Sequence, residues 1–386
     1  MVNISRIYFG IASPSDHLRY RKGSHTRPVV VWNIEGRCNL NCLHCYASAS
    51  GHKKKGLTRD EARAVLDDLA EFSVPVILFS GGEPLLREDI FGLVNDARRK
   101  GIRAVLSTNG TLIDEEVSQR LHDAGISYVG VSLDGDGPVH DRMRGVKGAF
   151  RLALRGIRSL KRAGIKTGLR FTMTKRNYLE IPSIFKIAEG EGVERICFYH
   201  LVYSGRGRQL MEEDLSPSQR REAIDSIVEK TGEALDRGYM LEVLTVDNHA
   251  DGPYLFLQLL KQDRERAFEA LELLSLNGGN QSGAGIGAID EEGNVHPDQF
   301  LREITLGNVR ERRFSEIWTG QNGILEWFRS KGLHVKGRCS LCSFLEVCNG
   351  NFRARALAVF SDLWQEDPQC YLTEEEIRSL KRDPEG

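Results

Sequence analysis

The chain has 386 residues, 40% of them hydrophobic, so it can form one large domain or two smaller ones around a sizeable core. Its 53 Lys and Arg nearly balance its 54 Asp and Glu, which argues against a dedicated nucleic-acid-binding protein, because such proteins usually carry a basic excess. No apolar stretch approaches the roughly 20 residues of a membrane helix, and residues 1–22 lack the apolar core of a signal peptide. We therefore expect a cytoplasmic protein that binds neither nucleic acid nor membrane.

The first predicted strand, residues 28–34, leads directly into three cysteines, Cys38, Cys42 and Cys45, at C-x3-C-x2-C spacing. A 4Fe–4S cluster is normally held by four thiolates, and no fourth cysteine lies nearby. Three thiolates would leave one iron open to a small chelating ligand. A zinc knuckle is the alternative, but zinc sites usually add a second cysteine pair or histidines, and the second group of cysteines lies about three hundred residues away.

The middle of the chain alternates short apolar strands with amphipathic helices. A helix beginning at Thr58, with Glu61 completing a capping box, follows the first strand. Further strands are predicted at 74–79, 103–107, 128–133, 167–173 and 195–202. Helices are predicted near 90–97, 114–124, 149–163 and 181–191 and from Ser216 onward. Six strand–helix units indicate an α/β fold with a parallel sheet, and their spacing fits either a partial (β/α)6 barrel or a doubly wound open sheet.

Polar and glycine residues follow several of these strands, where ligands bind in parallel sheets. Gly81, Gly82, Glu83 and Pro84 come after the second strand, Ser107 and Asn109 end the third, and Ser132 ends the fourth. The glycines let backbone approach a ligand closely, and Glu83 can accept hydrogen bonds from an ammonium group. Taken singly, each of these residues also suits an ordinary turn.

One charged residue, Arg170, lies within the fifth strand, where an unpaired charge is costly. It pairs either with the carboxylate of a ligand or with a protein carboxylate in a structural salt bridge.

Four more cysteines, Cys339, Cys342, Cys348 and Cys370, lie near the end of the chain. They are enough for one closed metal site, for which zinc is an alternative to an iron–sulfur cluster. The segment before them contains a Gly-rich stretch that does not fit a dinucleotide loop, followed by a predicted hairpin formed by residues 284–290 and 294–296. The lone Cys197 is interpreted as a buried small hydrophobic residue.

Taken together and in this order, the motifs in residues 28–205 resemble those of the radical S-adenosylmethionine (SAM) enzymes. The resemblance implies a partial (β/α)6 barrel in which Cys38, Cys42 and Cys45 hold a 4Fe–4S cluster that chelates SAM and cleaves it to a 5′-deoxyadenosyl radical. It also implies contacts to SAM from three groups of residues: Gly81, Gly82, Glu83 and Pro84 at the amine, Ser107 and Asn109 at the ribose, and Ser132 and Arg170 at the carboxylate.

The C-terminal cysteines resemble the SPASM/twitch extension of the same superfamily, which carries auxiliary clusters. A full extension has seven cysteines and two clusters. The four cysteines here imply one auxiliary 4Fe–4S cluster, and therefore two clusters in the whole chain. The expected units are an N-terminal segment 1–27, a radical SAM barrel 28–237 and an extension 238–386.

Segments throughout the chain are similar to the tetrapyrrole-modifying group of this branch, and residues 4–8 and 14–20 are closest to its 12,18-didecarboxysiroheme deacetylases. The resemblance implies removal of two acetate side chains, leaving methyl groups, from an iron tetrapyrrole in alternative haem biosynthesis. Arg206 and Arg208 would then grip propionates, or else form a solvated loop pair. His200, His249 and His296 would ligate the substrate iron or donate a proton, or else be structural.

Such an enzyme needs an electron donor such as flavodoxin or ferredoxin. Three alternatives remain open at this point. The first is propionate removal in haem d1 biosynthesis. The second is a peptide maturase, although the roughly 27 residues before the first strand are too few for a peptide-recognition domain. The third is a non-catalytic iron–sulfur electron carrier, which would not cleave SAM.

Overall fold

A computed structural model describes residues 1–13, 16–20, 27–51, 56–321 and 323–381. Positions 14 and 15, part of the N-terminal stretch that resembles the deacetylases, lie outside this range, as do residues 21–26 of the predicted N-terminal segment and residues 322 and 382–386 of the predicted extension. No helix within the described residues is both long and apolar enough to span a membrane.

One sheet of eleven strands organises the described part of the chain. Its strands are β1 (Val2–Asn3), β2 (Val29–Glu35), β3 (Val76–Gly81), β4 (Arg103–Thr108), β5 (Tyr128–Ser132), β6 (Thr167–Met173), β7 (Arg195–His200), β8 (Glu242–Val246), β9 (Ile286–Ile289), β10 (Asn294–His296) and β11 (Gly307–Asn308). Across the sheet they follow the order β1-β8-β7-β6-β5-β4-β3-β2-β9-β10-β11. The six predicted strands are all present as β2 to β7.

The strand order decides between the two sheet types that the sequence left open. Strands β2 to β8 lie side by side in chain order, and every pair from β8 through β2 to β9 is parallel. A doubly wound sheet reverses its strand order at a switch point, whereas this run has no reversal. The sheet is therefore of the partial-barrel type and is not doubly wound.

Two parallel strands extend the sheet beyond the predicted six. Strand β8 pairs with β7, and β9 pairs with β2 while it also forms the predicted hairpin with β10. The hairpin prediction is confirmed, but its parallel pairing with β2 was not foreseen. The sheet continues across the predicted boundary at residue 238, which stays a prediction.

Helices connect the strands and cover the sheet. They are α1 (Ile4–Ile7), α2 (Asp16–Arg19), α3 (Arg59–Glu71), α4 (Ile90–Arg99), α5 (Glu115–Ala124), α6 (Gly137–Arg144), α7 (Ala149–Arg162), α8 (Ile181–Gly190), α9 (Pro217–Asp236), α10 (Asp251–Leu260), α11 (Arg264–Asn277), α12 (Phe314–Thr319), α13 (Gly323–Arg329), α14 (Leu345–Cys348) and α15 (Arg353–Phe360). Short 3-10 helices span Pro84–Leu86, Tyr178–Glu180, Gly205–Glu213, Lys331–Leu333, Gly337–Leu341 and Glu376–Lys381.

Local sequence explains where two of the long helices begin. The Thr58 hydroxyl accepts the Glu61 N–H at 3.2 Å, and the Glu61 carboxylate accepts the Thr58 N–H at 2.7 Å, which completes the predicted capping box of α3. Ser216 and Gln219 form the same arrangement at the start of α9, with Pro217 as its first residue. Each such cap stabilises a helix start by about 1 kcal/mol.

The main core lies between the strands and the helices. Fully buried side chains from successive strands include Trp32, Phe79, Leu106, Leu169 and Phe198. Burying each such side chain contributes about 1.5–3 kcal/mol. This core makes the sheet rigid, so the loops after the carboxyl ends of its strands are held in fixed positions.

Candidate active site

The three N-terminal cysteines lie together at the carboxyl ends of the strands. Cys38, Cys42 and Cys45 line one open cavity and pack against Leu40 and Ala149. The Leu40 N–H donates to the Cys38 sulfur at 3.4 Å, the kind of N–H···S contact that tunes iron–sulfur clusters. The structure thus brings all three predicted ligands to one site.

Gly81 and Gly82 hold this cysteine loop in place. The Gly82 N–H donates to Glu35 O at 2.7 Å, and the next N–H donates to Arg37 O at 2.8 Å. A Cβ on either glycine would fall far inside contact distance of those same two carbonyl oxygens, and Gly81 has a φ of +135°. The glycines are therefore needed for close approach to the loop, and not only to a ligand as the sequence suggested.

The Glu83 carboxylate lies inside the protein, behind the cavity wall. It accepts hydrogen bonds from the Thr108 hydroxyl and the Asn109 N–H, both at 2.8 Å, and from the Leu85 N–H at 3.1 Å. Burial raises the pKa of this carboxyl to about 7. The sequence analysis expected this side chain to accept hydrogen bonds from an ammonium group. In the structure the carboxylate instead links the ends of β3 and β4 and does not line the cavity. Pro84 is buried at the start of its 3-10 helix.

Three predicted polar residues, Ser107, Asn109 and Ser132, do line the cavity. The Asn109 amide donates to Asn39 at 2.9 Å and lies 3.9 Å from the Cys38 sulfur. Asn109 therefore ties the end of β4 to the cysteine loop, while the two serines remain available to a ligand.

An ion-paired network that no sequence motif indicated lies beneath Cys42. Arg144 pairs with Asp134 at 2.7 Å, and its guanidinium also donates to the Cys42 sulfur at 3.5 Å. His44, inside the cysteine motif, lies 3.5 Å from the same carboxylate. Desolvation lowers the pKa of His44 to about 4, so this imidazole is neutral at pH 7. No sequence pattern marks Arg144, because its partners come from other loops.

Arg170 also faces the cavity. Its guanidinium stacks over the Tyr199 ring at 4.5 Å, and no described carboxylate lies within ion-pair distance of it. The structural salt bridge considered for Arg170 is therefore not found among the described residues, and its charge is available to an anionic ligand.

The two predicted arginines of the loop after β7 are placed differently. Arg206 lines the cavity, but it donates to Cys42 O and Ala49 O, both at 2.8 Å, and so braces the cysteine loop. Arg208 is half exposed, lies 3.5 Å from Glu303, and is not among the residues that line the cavity. Only Arg206 is brought to the site, with two of its five N–H donors already used.

Of the three predicted histidines, only His200 lines the cavity, and its Nε2 lies 2.9 Å from the buried Asp251 carboxylate. His296 is 2% exposed, its two ring nitrogens contact Ile304 O and Asp290, and it is not among the residues that line the cavity. His249 is buried away from the cavity, with Nε2 at 2.9 Å from the N-terminal amine. The contacts that enclose His296 and His249 could not be predicted from the sequence.

Asp247 is a cavity residue that the sequence analysis missed. It follows β8, is 7% exposed, and has a φ of +70°. The signal that could have revealed it was a short apolar strand at 242–246 with an acidic residue directly after it, the same pattern that marked the other strand ends.

The four C-terminal cysteines line a second, smaller cavity beside α14 and the last segment. Its wall is mostly apolar and includes Phe344, Leu345 and Leu372. Four thiols around one cavity are the donor set of one closed 4Fe–4S cluster or of one tetrahedral zinc ion. The residues present therefore fit a cluster at this site.

Comparison with known proteins agrees with this geometry. Residues 32–188 match the Radical SAM superfamily, and residues 284–349 match the SPASM iron–sulfur cluster-binding domain. The chain is 52% identical to "Fe-coproporphyrin III synthase" of Methanosarcina barkeri, over 98% of this chain and 99% of that protein. The chain belongs to the radical SAM superfamily. It is also 43% identical to "Pre-heme d1 synthase" of Dinoroseobacter shibae, over 90% of this chain and 87% of that one.

Solved radical SAM structures share the fold. Streptococcus suis SuiB bound to SAM superimposes with a TM-score of 0.71 at 17% identity, over 90% of this chain and 78% of that chain. Native anSMEcpe with bound AdoMet and Cp18Cys peptide gives a TM-score of 0.68 at 19% identity, over 91% of this chain and 96% of that chain. The predicted radical SAM fold with a C-terminal SPASM extension is confirmed, and the chain is a radical SAM enzyme that uses SAM and iron–sulfur chemistry.

Proposed function

We propose that this radical SAM enzyme removes two acetate side chains from 12,18-didecarboxysiroheme to give Fe-coproporphyrin III, in alternative haem biosynthesis. The observation that carries the proposal is the 52% identity to an Fe-coproporphyrin III synthase over nearly the full length of both chains. Its AdoMet-dependent haem synthase relatives, 31% identical in Methanosarcina barkeri over 89% of this chain and 95% of that one, also support a tetrapyrrole substrate.

Two 4Fe–4S clusters follow from the two groups of thiols. Cys38, Cys42 and Cys45 would hold the cluster that binds SAM, and the four C-terminal cysteines would hold one auxiliary cluster. When bound, the first cluster and SAM supply a 5′-deoxyadenosyl radical. Burial raises the pKa of the Cys38 and Cys370 thiols to about 12 in the metal-free chain, so loading should release protons.

The chain's own residues would orient SAM and the substrate. Ser107, Ser132 and Arg170 face the cavity with polar atoms free for SAM, and Arg170 would pair with its carboxylate. The backbone of Gly81 and Gly82, rather than the enclosed Glu83 side chain, would meet its amine. Arg206 would keep the cysteine loop in register beside the macrocycle.

Reduction requires an outside electron, for which flavodoxin or ferredoxin is the proposed donor. Because oxygen-sensitive clusters and unpaired cysteines persist only in reducing surroundings, the cytoplasm is the proposed location.

The test is an anaerobic assay of the reconstituted protein with SAM, dithionite and didecarboxysiroheme, following 5′-deoxyadenosine and tetrapyrrole mass together. Deoxyadenosine with loss of two acetate groups is the expected result. Loss of propionate groups instead would support haem d1-type chemistry, which the 43% identity to a pre-haem d1 synthase makes the second candidate. Deoxyadenosine with an unchanged tetrapyrrole would refute both candidates, and no SAM cleavage would indicate a non-catalytic carrier.

A further inference from the structure

The carboxyl of Asp247 is an unused acid in the cavity. Asp247 lines the same space as the three cysteines and Arg170, and only 7% of the residue is exposed. Within the described residues, its carboxyl takes part in no hydrogen bond, and Arg355 contacts only its backbone oxygen. Its carboxyl oxygens are not among the fully buried polar atoms that lack a partner, so they reach the open cavity, where a ligand can bind them.

The backbone at this position is held in an uncommon conformation. Asp247 has a φ of +70°, a left-handed conformation that is uncommon for residues other than glycine. The Arg355 guanidinium holds it there by donating to Asp247 O at 2.6 Å and to Leu201 O at 3.1 Å. Arg355 is in turn paired with the buried Asp367 at 2.8 Å. Strain that the surroundings enforce in this way is concentrated at functional sites.

The C-terminal region clamps the residues that follow as well. The Asn248 amide donates to Gln369 O at 3.0 Å and accepts from Asn351 at 2.7 Å. Asp251 accepts the Tyr371 hydroxyl at 2.8 Å. The direction of the Asp247 side chain is therefore fixed by the same segments that carry the C-terminal cysteines.

The other cavity groups that could donate a proton are weaker acids or are already committed. Burial raises the pKa of the Tyr199 phenol well above its usual value, and Arg170 is a permanent cation. His44 is engaged with Asp134, His200 Nε2 with Asp251, and the Tyr46 hydroxyl with Asn33 at 2.8 Å. The three cysteines are the proposed cluster ligands. Asp247 is therefore the acid in this cavity that can donate a proton to a substrate.

Burial raises the pKa of Asp247 to about 7, so its carboxyl is partly protonated at neutral pH. Several charged or titratable groups face it or lie near it: Arg355 on α15, Arg170 on β6, Tyr199 and His200 on β7, the N-terminal amine, and Asp298 after β10. The arginines and the amine lower the pKa and Asp298 raises it, but desolvation is the largest effect.

We propose that Asp247 is the catalytic acid that protonates the carbon of the side chain leaving the tetrapyrrole. This inference rests on the proposed function. In the proposed reaction a hydrogen atom would pass from a ring carbon adjacent to the one that bears the acetate to the 5′-deoxyadenosyl radical, giving 5′-deoxyadenosine. The bond from ring carbon to acetate CH₂ would then break homolytically as a ring double bond forms. The two-carbon fragment then needs one electron, from a reduced iron–sulfur cluster, and one proton, from neutral Asp247, to become acetate. Water reprotonates Asp247.

The test compares Asp247→Asn, Asp247→Glu and wild type. Asn also tolerates the left-handed backbone, so the first variant should fold, and its thermal midpoint is measured to show this. A matched surface control is Asp225→Asn, since Asp225 is exposed and its carboxylate accepts the Tyr254 hydroxyl at 2.7 Å.

We expect Asp247→Asn to keep making 5′-deoxyadenosine while acetate release falls about a hundredfold, and Asp247→Glu to recover part of it. The wild-type rate of acetate release should fall as the pH rises above about 7, because the acid form is lost, and this limb should be absent in Asp247→Asn. An unchanged ratio of acetate to deoxyadenosine in Asp247→Asn would overturn the proposal.

A second readout needs no cofactor. The infrared difference spectrum of metal-free wild type minus metal-free Asp247→Asn should show a neutral carboxylic acid at about pH 6 that is lost by about pH 8. A carboxylate already ionised at the lower pH would refute the proposal. Failure of wild type to convert didecarboxysiroheme would instead count against the proposed function, whatever the infrared result.

Discussion

The buried pair of Arg144 and Asp134 makes the most quantitative prediction about this fold. The Arg144 side chain is 9% exposed, the Asp134 side chain is fully enclosed, and their closest atoms are 2.7 Å apart. Replacing Arg144 by Met removes the charge but keeps much of the apolar stem. It leaves a buried carboxylate with only a neutral His44 and backbone donors, so the free energy of unfolding should fall by about 3–5 kcal/mol.

The assay is urea unfolding of the metal-free, reduced protein, so that cluster loading does not enter the measurement. In the double variant, Asp134→Asn removes the stranded charge, and Arg144→Met/Asp134→Asn should lose less stability than the sum of the two single variants by at least about 1 kcal/mol. Arg158→Met is the matched control, because Arg158 makes an exposed pair with Glu191 that contributes at most about 1 kcal/mol. A cost below about 1 kcal/mol for Arg144→Met, or strict additivity in the double variant, would refute the reasoning.

The remaining predictions concern the loop and its supports. Gly82→Ala should displace the cysteine loop, lower the free energy of unfolding by about 1–3 kcal/mol and lower the iron content of the first site. Gly190→Ala, where a Cβ meets open space, should leave the free energy of unfolding and the iron content unchanged; denaturant unfolding and iron analysis measure these two quantities. Cys38→Ala should abolish SAM cleavage, whereas Cys339→Ala should spare the first cluster; SAM cleavage by Cys38→Ala would contradict the ligand assignment. Because burial raises the pKa of Glu83 to about 7, its protonation stabilises the fold by about 3 kcal/mol below pH 4.5, and this contribution is lost as the pH rises through about 7. The denaturation midpoint should therefore fall between pH 4.5 and about pH 8 by more in wild type than in Glu83→Gln.

Local patterns predicted the elements of the fold, and long-range pairing explains most of what they missed. The capping box at Thr58 and the hairpin at 286–296 depend on residues close in sequence, so they could be predicted from it. The pairing of Val29 with Ile286 joins positions more than 250 residues apart, which no local period records. The β8 strand was missed because residues 242–246 were assigned to the extension, beyond the last predicted strand–helix unit.

The same contrast holds within the site. The identity of the cysteines predicts a cluster, because their chemistry needs only spacing to be recognised. The direction of a side chain depends instead on its neighbours in space. Glu83 turns away from the cavity because Thr108 and Asn109 offer it hydrogen bonds, and Arg206 is occupied by carbonyls of the cysteine loop. Sequence motifs therefore identified the chemistry more reliably than the contacts of each residue.

The C-terminal extension is part of the cavity wall as well as a carrier of thiols. Arg355 fixes the ends of β7 and β8, and Tyr371, next to Cys370, hydrogen-bonds Asp251, which in turn contacts His200 in the cavity. Because each of these contacts is buried, a shift of the C-terminal site cannot occur without repacking the substrate side of the barrel. The segments that carry the C-terminal cysteines therefore also shape the cavity, and a cluster bound there would stabilise that shape.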